Sequence, residues 1–154
     1  MKKTRIMFVC LGNICRSPMA EFVFRDMVKK AGLEEYFDIA SAATSTWELG
    51  NPPHHGTQVE LKKHGISCSG KRAVRLKYSD YDEYDLFLGM DRENIRDMKR
   101  IFDGDPDGKI HLLKDYSTGG EVDDPWYSGD FQTTYNDVSL ACYNLLNDLK
   151  QKLS

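Results

Sequence analysis

The chain has no apolar run long enough to cross a bilayer: its longest, Ile6 to Gly12, falls far short of the roughly 20 residues that a spanning helix requires. Nowhere do five like charges follow one another. Lys plus Arg (21) are slightly outnumbered by Asp plus Glu (24), a formal charge of -3 that disfavours a general nucleic-acid surface. Cysteine is scarce. Cys10, Cys15, Cys68 and Cys142 are too few and too irregularly spaced for a disulfide scaffold, and no second Cys or His pair completes a zinc signature, so no metal or other cofactor is expected. Glycine and proline together are 17 of 154 residues and aromatics are 11%, which excludes disorder and low-complexity filaments. There is no internal repeat and no linker.

What remains is one folded domain over residues 1–154, with 40% hydrophobic residues to build its core. Lys2, Lys3 and Arg5 before the first apolar run imitate a secretory leader. Asn13 and Arg16 interrupt that run and no small-residue cleavage pattern follows, so a cytosolic N-terminus is expected. A reducing compartment keeps the four cysteines as thiols. A monomer, or at most weak self-association, is the expected state.

Thr4 to Val9 is continuously apolar and β-branched with no alternation, the pattern of a strand buried on both faces of a parallel sheet. Pro18 sits where a first helical turn tolerates it, with Ser17 as the predicted cap. Ala20, Val23, Phe24, Met27 and Ala31 then form a helical stripe that Gly32 ends. Phe37 to Ala43, Ala73 to Leu76, Leu86 to Met90 and Ile110 to Leu113 read as further strands. Thr57 to His64 and Arg92 to Phe102 read as helices, and Tyr135, Val138, Cys142, Leu145 and Leu149 mark a closing one. Asp115 to Asp130 is a long polar loop, and loops of that length tend to be functional. Alternating strands and helices predict one α/β domain, Rossmann- or flavodoxin-like. Its four-stranded parallel twisted sheet has helices on both faces and binds its ligand at the carboxyl ends of the strands.

The loop after the first strand is Cys10-Leu11-Gly12-Asn13-Ile14-Cys15-Arg16-Ser17. A loop wrapped just ahead of a helix N-terminus directs several backbone N–H groups at one point, and the helix dipole favours negative charge there. Gly12 is expected to allow the tight path. Leu11, Gly12, Asn13, Ile14, Cys15 and Ser17 thus form a predicted phosphate cradle. Cys10 lies where the donors converge, a setting that favours its thiolate. Arg16 offers planar bidentate donors to two phosphate oxygens, a geometry that lysine does not reproduce. A lone cysteine at a strand end is usually a small buried hydrophobe. Cys, Gly, Asn, Arg and Ser in one strand-to-helix turn are harder to explain as packing, because a buried arginine without an anion is costly.

Val9 to Pro18, followed by Ala20-Glu21, resembles the signature of the low-molecular-weight protein tyrosine phosphatases, a cysteine, five residues, then Arg-Ser near the N-terminus. Ser41 to Ser45, Gly50 to Pro53, His64-Gly65-Ile66, Met90-Asp91 and Asp124-Pro125-Trp126-Tyr127 extend the resemblance over nearly the whole chain. It implies hydrolysis of phosphotyrosine in proteins through a phosphocysteine. Cys10 would be the nucleophile, Arg16 the phosphate clamp, Asp124 the general acid, and Asn13, Ser17 and Ser41 the orienting groups. Chemistry alone does not separate Asp124 from Asp123; the family places the acid immediately before the proline. Trp47, Trp126 and Tyr127 would wall a phenyl ring at the mouth. Cys15 would form a disulfide with oxidised Cys10 and protect it. Tyrosine-phosphorylated proteins are the expected partners.

Two departures from the family stand out. Relatives often carry a second histidine shortly after the His-Gly-Ile block, supporting the orienting network around Ser41. Here that stretch is Ser67-Cys68-Ser69-Gly70-Lys71, and His64 is expected to be structural. Trp126 stands where many relatives carry tyrosine. Three alternatives share the loop. Arsenate reduction needs relay thiols, and Val74 to Leu113 contain none. Phosphoarginine hydrolysis goes with threonine in place of Ile14. A binding module without catalysis would gain nothing from an acid facing its anion.

Overall fold

A computed structural model describes residues 2–153. The chain runs β1 (Thr4–Cys10), α1 (Arg16–Lys30), β2 (Phe37–Ala43), α2 (His55–Lys63), α3 (Asp80–Glu83), β3 (Leu86–Gly89), α4 (Arg92–Ile101), β4 (Ile110–Leu112), α5 (Pro125–Ser128) and α6 (Phe131–Gln151). The strands form one parallel sheet in the order β2-β1-β3-β4. Among the described residues no helix is long and apolar enough to cross a membrane.

β1 is central, and its alternating side chains feed two cores. Ile6, Phe8 and Cys10 join Val23 and Phe24 of α1 and Val138, Cys142 and Leu145 of α6 on one face. Met7 and Val9 join Tyr81, Phe87, Met98 and Phe102 on the other. Burial on both sides explains why β1 reads as an unbroken apolar run. The chain leaves β1 on one side towards β2 and later on the other towards β3, so the strand order reverses beside the C-terminal end of β1, where α/β sheets place their ligands.

Three expectations are corrected. Ala73 to Leu76 is no strand: β2 ends at Ala43, which leaves one isolated bridge, Ala43 to Arg75, flanked by Ala43 N–H on the Val74 carbonyl (2.7 Å) and Leu76 N–H on the Ala43 carbonyl (2.9 Å). The segment is a strap lying along the end of the sheet. Ser17 does not cap α1, which begins at Arg16, because its hydroxyl is turned onto Cys10 instead. The long polar loop holds a helical turn, α5, started by Pro125 at its first position and capped by Asp124.

Phe24 anchors α1 to the sheet. It is fully buried, edge-on to Phe8 and Phe37 with ring centres 5.8 and 5.9 Å away. Phe24→Ala is expected to remove about 3–5 kcal/mol of stability, measured by urea unfolding, since the surrounding rings cannot close such a cavity.

Candidate active site

Cys10 ends β1, nearly buried, and the chain turns around its sulfur. The backbone N–H groups of Asn13 and Ser17 point at Sγ from 3.3 and 3.4 Å, and the Ser17 hydroxyl lies 3.0 Å away. The carbonyls of the turn face outward and are taken up by flanking segments. Thr44 N–H donates to the Cys10 carbonyl, Ser45 N–H to Leu11, His54 N–H to Ile14, and the Thr57 hydroxyl to Cys15. With those carbonyls held outside, the N–H groups of Asn13 and Ser17 face the sulfur inside, as an anion cradle requires.

The tight step expected at Gly12 falls one residue later. Gly12 is not in the left-handed region, whereas Asn13 adopts φ 59°. Asparagine tolerates that conformation better than most residues, and here it is fixed by three hydrogen bonds. Its Oδ1 accepts from Val74 N–H (3.1 Å), and its Nδ2 donates to the hydroxyls of Ser17 (2.7 Å) and Ser41 (2.9 Å). Asn13, Ser17 and Ser41 are all buried behind the cradle and do not line its opening.

Cys10, Leu11, Gly12, Ile14, Cys15 and Arg16 line the floor of a cavity of about 130 Å³. Its rim is formed by Trp47, Glu48, Asp124, Trp126 and Tyr127. The three aromatic residues are 75%, 54% and 79% exposed (Trp47, Trp126 and Tyr127 respectively), so they are walls and not a small core under the loops. Of the two adjacent acids, Asp124 lines the cavity and Asp123 is exposed outside it. Asp124 spends Oδ1 on Trp126 N–H (3.1 Å) and presents Oδ2 to Arg16 (3.4 Å).

Arg16 is nearly buried. Its Nη1 donates to Asp91 Oδ2 (2.8 Å) and to the Val122 carbonyl (3.0 Å), while Nη2 faces Asp124. Burial pulls its pKa down, but Cys10, Asp91 and Asp124 outweigh it and hold the guanidinium above its ordinary value. Cys15 goes the other way. Burial first, then the neighbouring Cys10 and Asp124, push its thiol up to about 12, so beside Cys10 it stays protonated at neutral pH. Burial also raises Cys142, in the main core, and Cys68. His64 is structural: it bonds Glu60 at 3.1 Å and stacks on Tyr135 with ring centres 3.7 Å apart.

Sequence reasoning missed four contributors. Asp91 appeared only within a family block; it caps α4 through Oδ1 while Oδ2 holds Arg16. His54 caps α2, stacks on Phe131 and meets the Trp126 ring edge-on at 5.5 Å, linking the cradle to the rim. Glu21 and Lys71 support Ser41 from behind. Asp91 had a usable signal, the Asp-x-x-Asn pattern of a capping pair; the others are brought in by tertiary folding.

A cysteine sulfur under converging N–H groups, an arginine beside it and a carboxyl group on the facing loop are the parts that a cysteine-dependent phosphoryl-transfer site needs, here set on a doubly wound α/β fold. The family model for "Low molecular weight phosphotyrosine protein phosphatase" matches residues 5–154, and the chain belongs to that family. It is 40% identical over 150 residues to the low molecular weight protein-tyrosine-phosphatase YfkJ of Bacillus subtilis, covering 96% of each chain. The crystal structure of YfkJ superposes with a TM-score of 0.95 at 39% identity over 100% of this chain and 99% of that one. A low molecular weight phosphotyrosine protein phosphatase of Schizosaccharomyces pombe is 42% identical over 154 residues, 97% of this chain and 94% of the relative. The low molecular weight protein tyrosine phosphatase structure from Streptococcus pyogenes matches with a TM-score of 0.86 at 41% identity, over 95% and 93% of the two chains.

Asp91→Asn keeps a capping oxygen for α4 but removes the charge that holds Arg16. Competitive inhibition by inorganic phosphate is expected to weaken about tenfold, the worth of one charge-assisted hydrogen bond, while the urea midpoint stays close to wild type.

Proposed function

We propose that the chain hydrolyses phosphotyrosine in proteins, and aryl phosphates generally, through a phosphocysteine on Cys10. The observation that carries this reading is that Cys10, Arg16 and Asp124 line one cavity whose rim is aromatic. The Cys10 thiolate attacks phosphorus in line with the departing phenolic oxygen. Arg16 and the inward N–H groups of residues 11–17 take the charge on the three non-bridging oxygens. Asp124 is the general acid that gives a proton to the phenolic oxygen as the P–O bond breaks. Its carboxylate then accepts a proton from the water that attacks phosphorus, phosphate leaves, and Cys10 returns as a thiolate steadied by the Ser17 hydroxyl.

Trp47, Trp126 and Tyr127 suit a flat leaving group, and the nearly buried Ile14 offers no polar atom to a guanidinium, so phosphoarginine is disfavoured. Arsenate reduction lacks relay thiols between Val74 and Leu113. Tyrosine-phosphorylated proteins are the partners proposed, in a reducing, cytoplasmic setting that suits four free buried thiols.

The test is a panel of phosphotyrosine, phosphoserine and phosphoarginine peptides plus arsenate, run with wild type, Cys10→Ser and Asp124→Asn. Phosphotyrosine is expected to dominate, Cys10→Ser to lose turnover, and Asp124→Asn to slow it by about 10²–10⁴-fold at saturation without weakening binding. Full hydrolysis by Cys10→Ser would overturn the covalent mechanism.

Cys15 completes the proposal as a redox guard. Peroxide converts the Cys10 thiolate to a sulfenic acid. That removes one of the charges opposing Cys15 ionisation, and Cys15 sulfur then displaces water to form a disulfide that a dithiol reverses. After peroxide treatment, dithiothreitol is expected to restore wild-type activity but to leave Cys15→Ala inactive, its Cys10 carried on to the sulfinic acid.

A further inference from the structure

Outside the cavity the molecule buries a carboxylate that the reaction above does not use. Glu21 lies on α1, one turn beyond Ser17, and is 4% exposed. Its Oε1 accepts from the Ser41 hydroxyl at 2.6 Å and lies 3.4 Å from the Lys71 ammonium; its Oε2 accepts from Arg25 Nε at 2.9 Å. Lys71 lies two residues before the strap over the sheet end. Its side chain is only 11% exposed and donates to the Ser41 carbonyl at 2.9 Å. Arg25, by contrast, is half exposed.

Counting protons gives this group a direction. An ionised Glu21 only accepts, so the single Ser41 hydroxyl proton goes to it and Ser41 Oγ must accept from Asn13. Val74 N–H on Asn13 Oδ1 prevents the amide from flipping. Both Nδ2 protons of Asn13 are therefore spent on Ser41 and Ser17, and Ser17, already accepting, turns its own proton to the Cys10 sulfur 3.0 Å away. The donors run one way, from Ser17 at the sulfur back to a buried negative charge.

We propose that Lys71, paired with Glu21, is a positioning residue for the Cys10 nucleophile, holding the carboxylate that fixes the donor direction of Ser41, Asn13 and Ser17. This rests on reading Cys10 as the nucleophile. Buried carboxylates need a partner charge, and removing one member of such a pair leaves the other uncompensated. Without Lys71, Glu21 keeps only the half-exposed Arg25 as a charge partner, its Oε1 is no longer held on the Ser41 hydroxyl, and Asn13 loses a fixed acceptor just where it holds a left-handed turn. The charged and titratable groups facing Glu21 are Arg25 on its own helix and Lys71 and Cys68 from the segment ahead of the strap. Those acting on Cys10 are Cys15 and Arg16, with Asp91 and Asp124 reaching it through Arg16.

The experiment follows the pH dependence of Cys10 alkylation by iodoacetate, and of kcat/KM for an aryl phosphate, in wild type, Lys71→Met, Lys71→Gln and Lys71→Arg. The midpoints of both profiles are expected to move up by about one pH unit in the Met and Gln variants, with kcat/KM falling about tenfold on the acid limb of the profile and Arg restoring most of the loss. Should Lys71→Met fail to fold, Lys71→Gln, which keeps a donor for the Ser41 carbonyl, carries the test. Wild-type midpoints in the folded neutral variants overturn the proposal, as does an Arg variant shifted as far as the neutral ones. Hydrolysis that survives complete alkylation of Cys10 in wild type would instead overturn Cys10 as nucleophile.

Discussion

Seven residues close a turn around one sulfur atom, and that turn cannot exist unless Asn13 holds a left-handed backbone conformation. Such a conformation is costly for a residue with a side chain, and it persists only where its surroundings over-determine it. Here three hydrogen bonds from Asn13 reach the strap, the end of β2 and the start of α1, so separate parts of the fold agree on one geometry. The aim of the Ser17 hydroxyl, the inward N–H edges and the outward carbonyls all follow from that step. Catalysis by preorganised donors depends on such agreement, because donors that had to reorient during the reaction would give back much of their effect.

Arg16 ties this early turn to residues 75 to 108 positions later. Its guanidinium meets Asp91 at the head of α4, the Val122 carbonyl and Asp124 of the facing loop. A slightly acidic protein that handles a dianion must concentrate positive charge locally, and burying one arginine among acceptors achieves this without a basic surface. The acids around Arg16 also offset the cost of burying it.

Much of this was legible in the linear chain because its signals are local. β1 reads as a doubly buried strand because Ile6 to Val9 are apolar without alternation, and α1 and α6 show their stripes at helical spacing. The phosphate turn is compressed into eight consecutive residues, where incompatible side chains are conspicuous. Ala73 to Leu76 misled because a β-like composition does not reveal whether a partner strand is long enough to pair with. Gly12 drew attention as the permissive residue, while hydrogen bonding placed the demanding conformation on Asn13. Glu21 and Lys71 could not be linked from sequence at all: 50 positions apart, they meet only because the strap crosses the end of the sheet.

The rim of the cavity is made of two mechanically different pieces. Asp124 caps the short helix that carries Trp126 and Tyr127, so the acid and two of the walls form one rigid unit. A change that re-shapes that side also shifts Asp124, the proposed proton donor. Trp47 stands on a separate loop after β2 and shares no backbone with the acid. In this chain the Trp47 wall can therefore be altered without touching the segment that Asp124 caps, whereas a change at Trp126 acts on that segment directly.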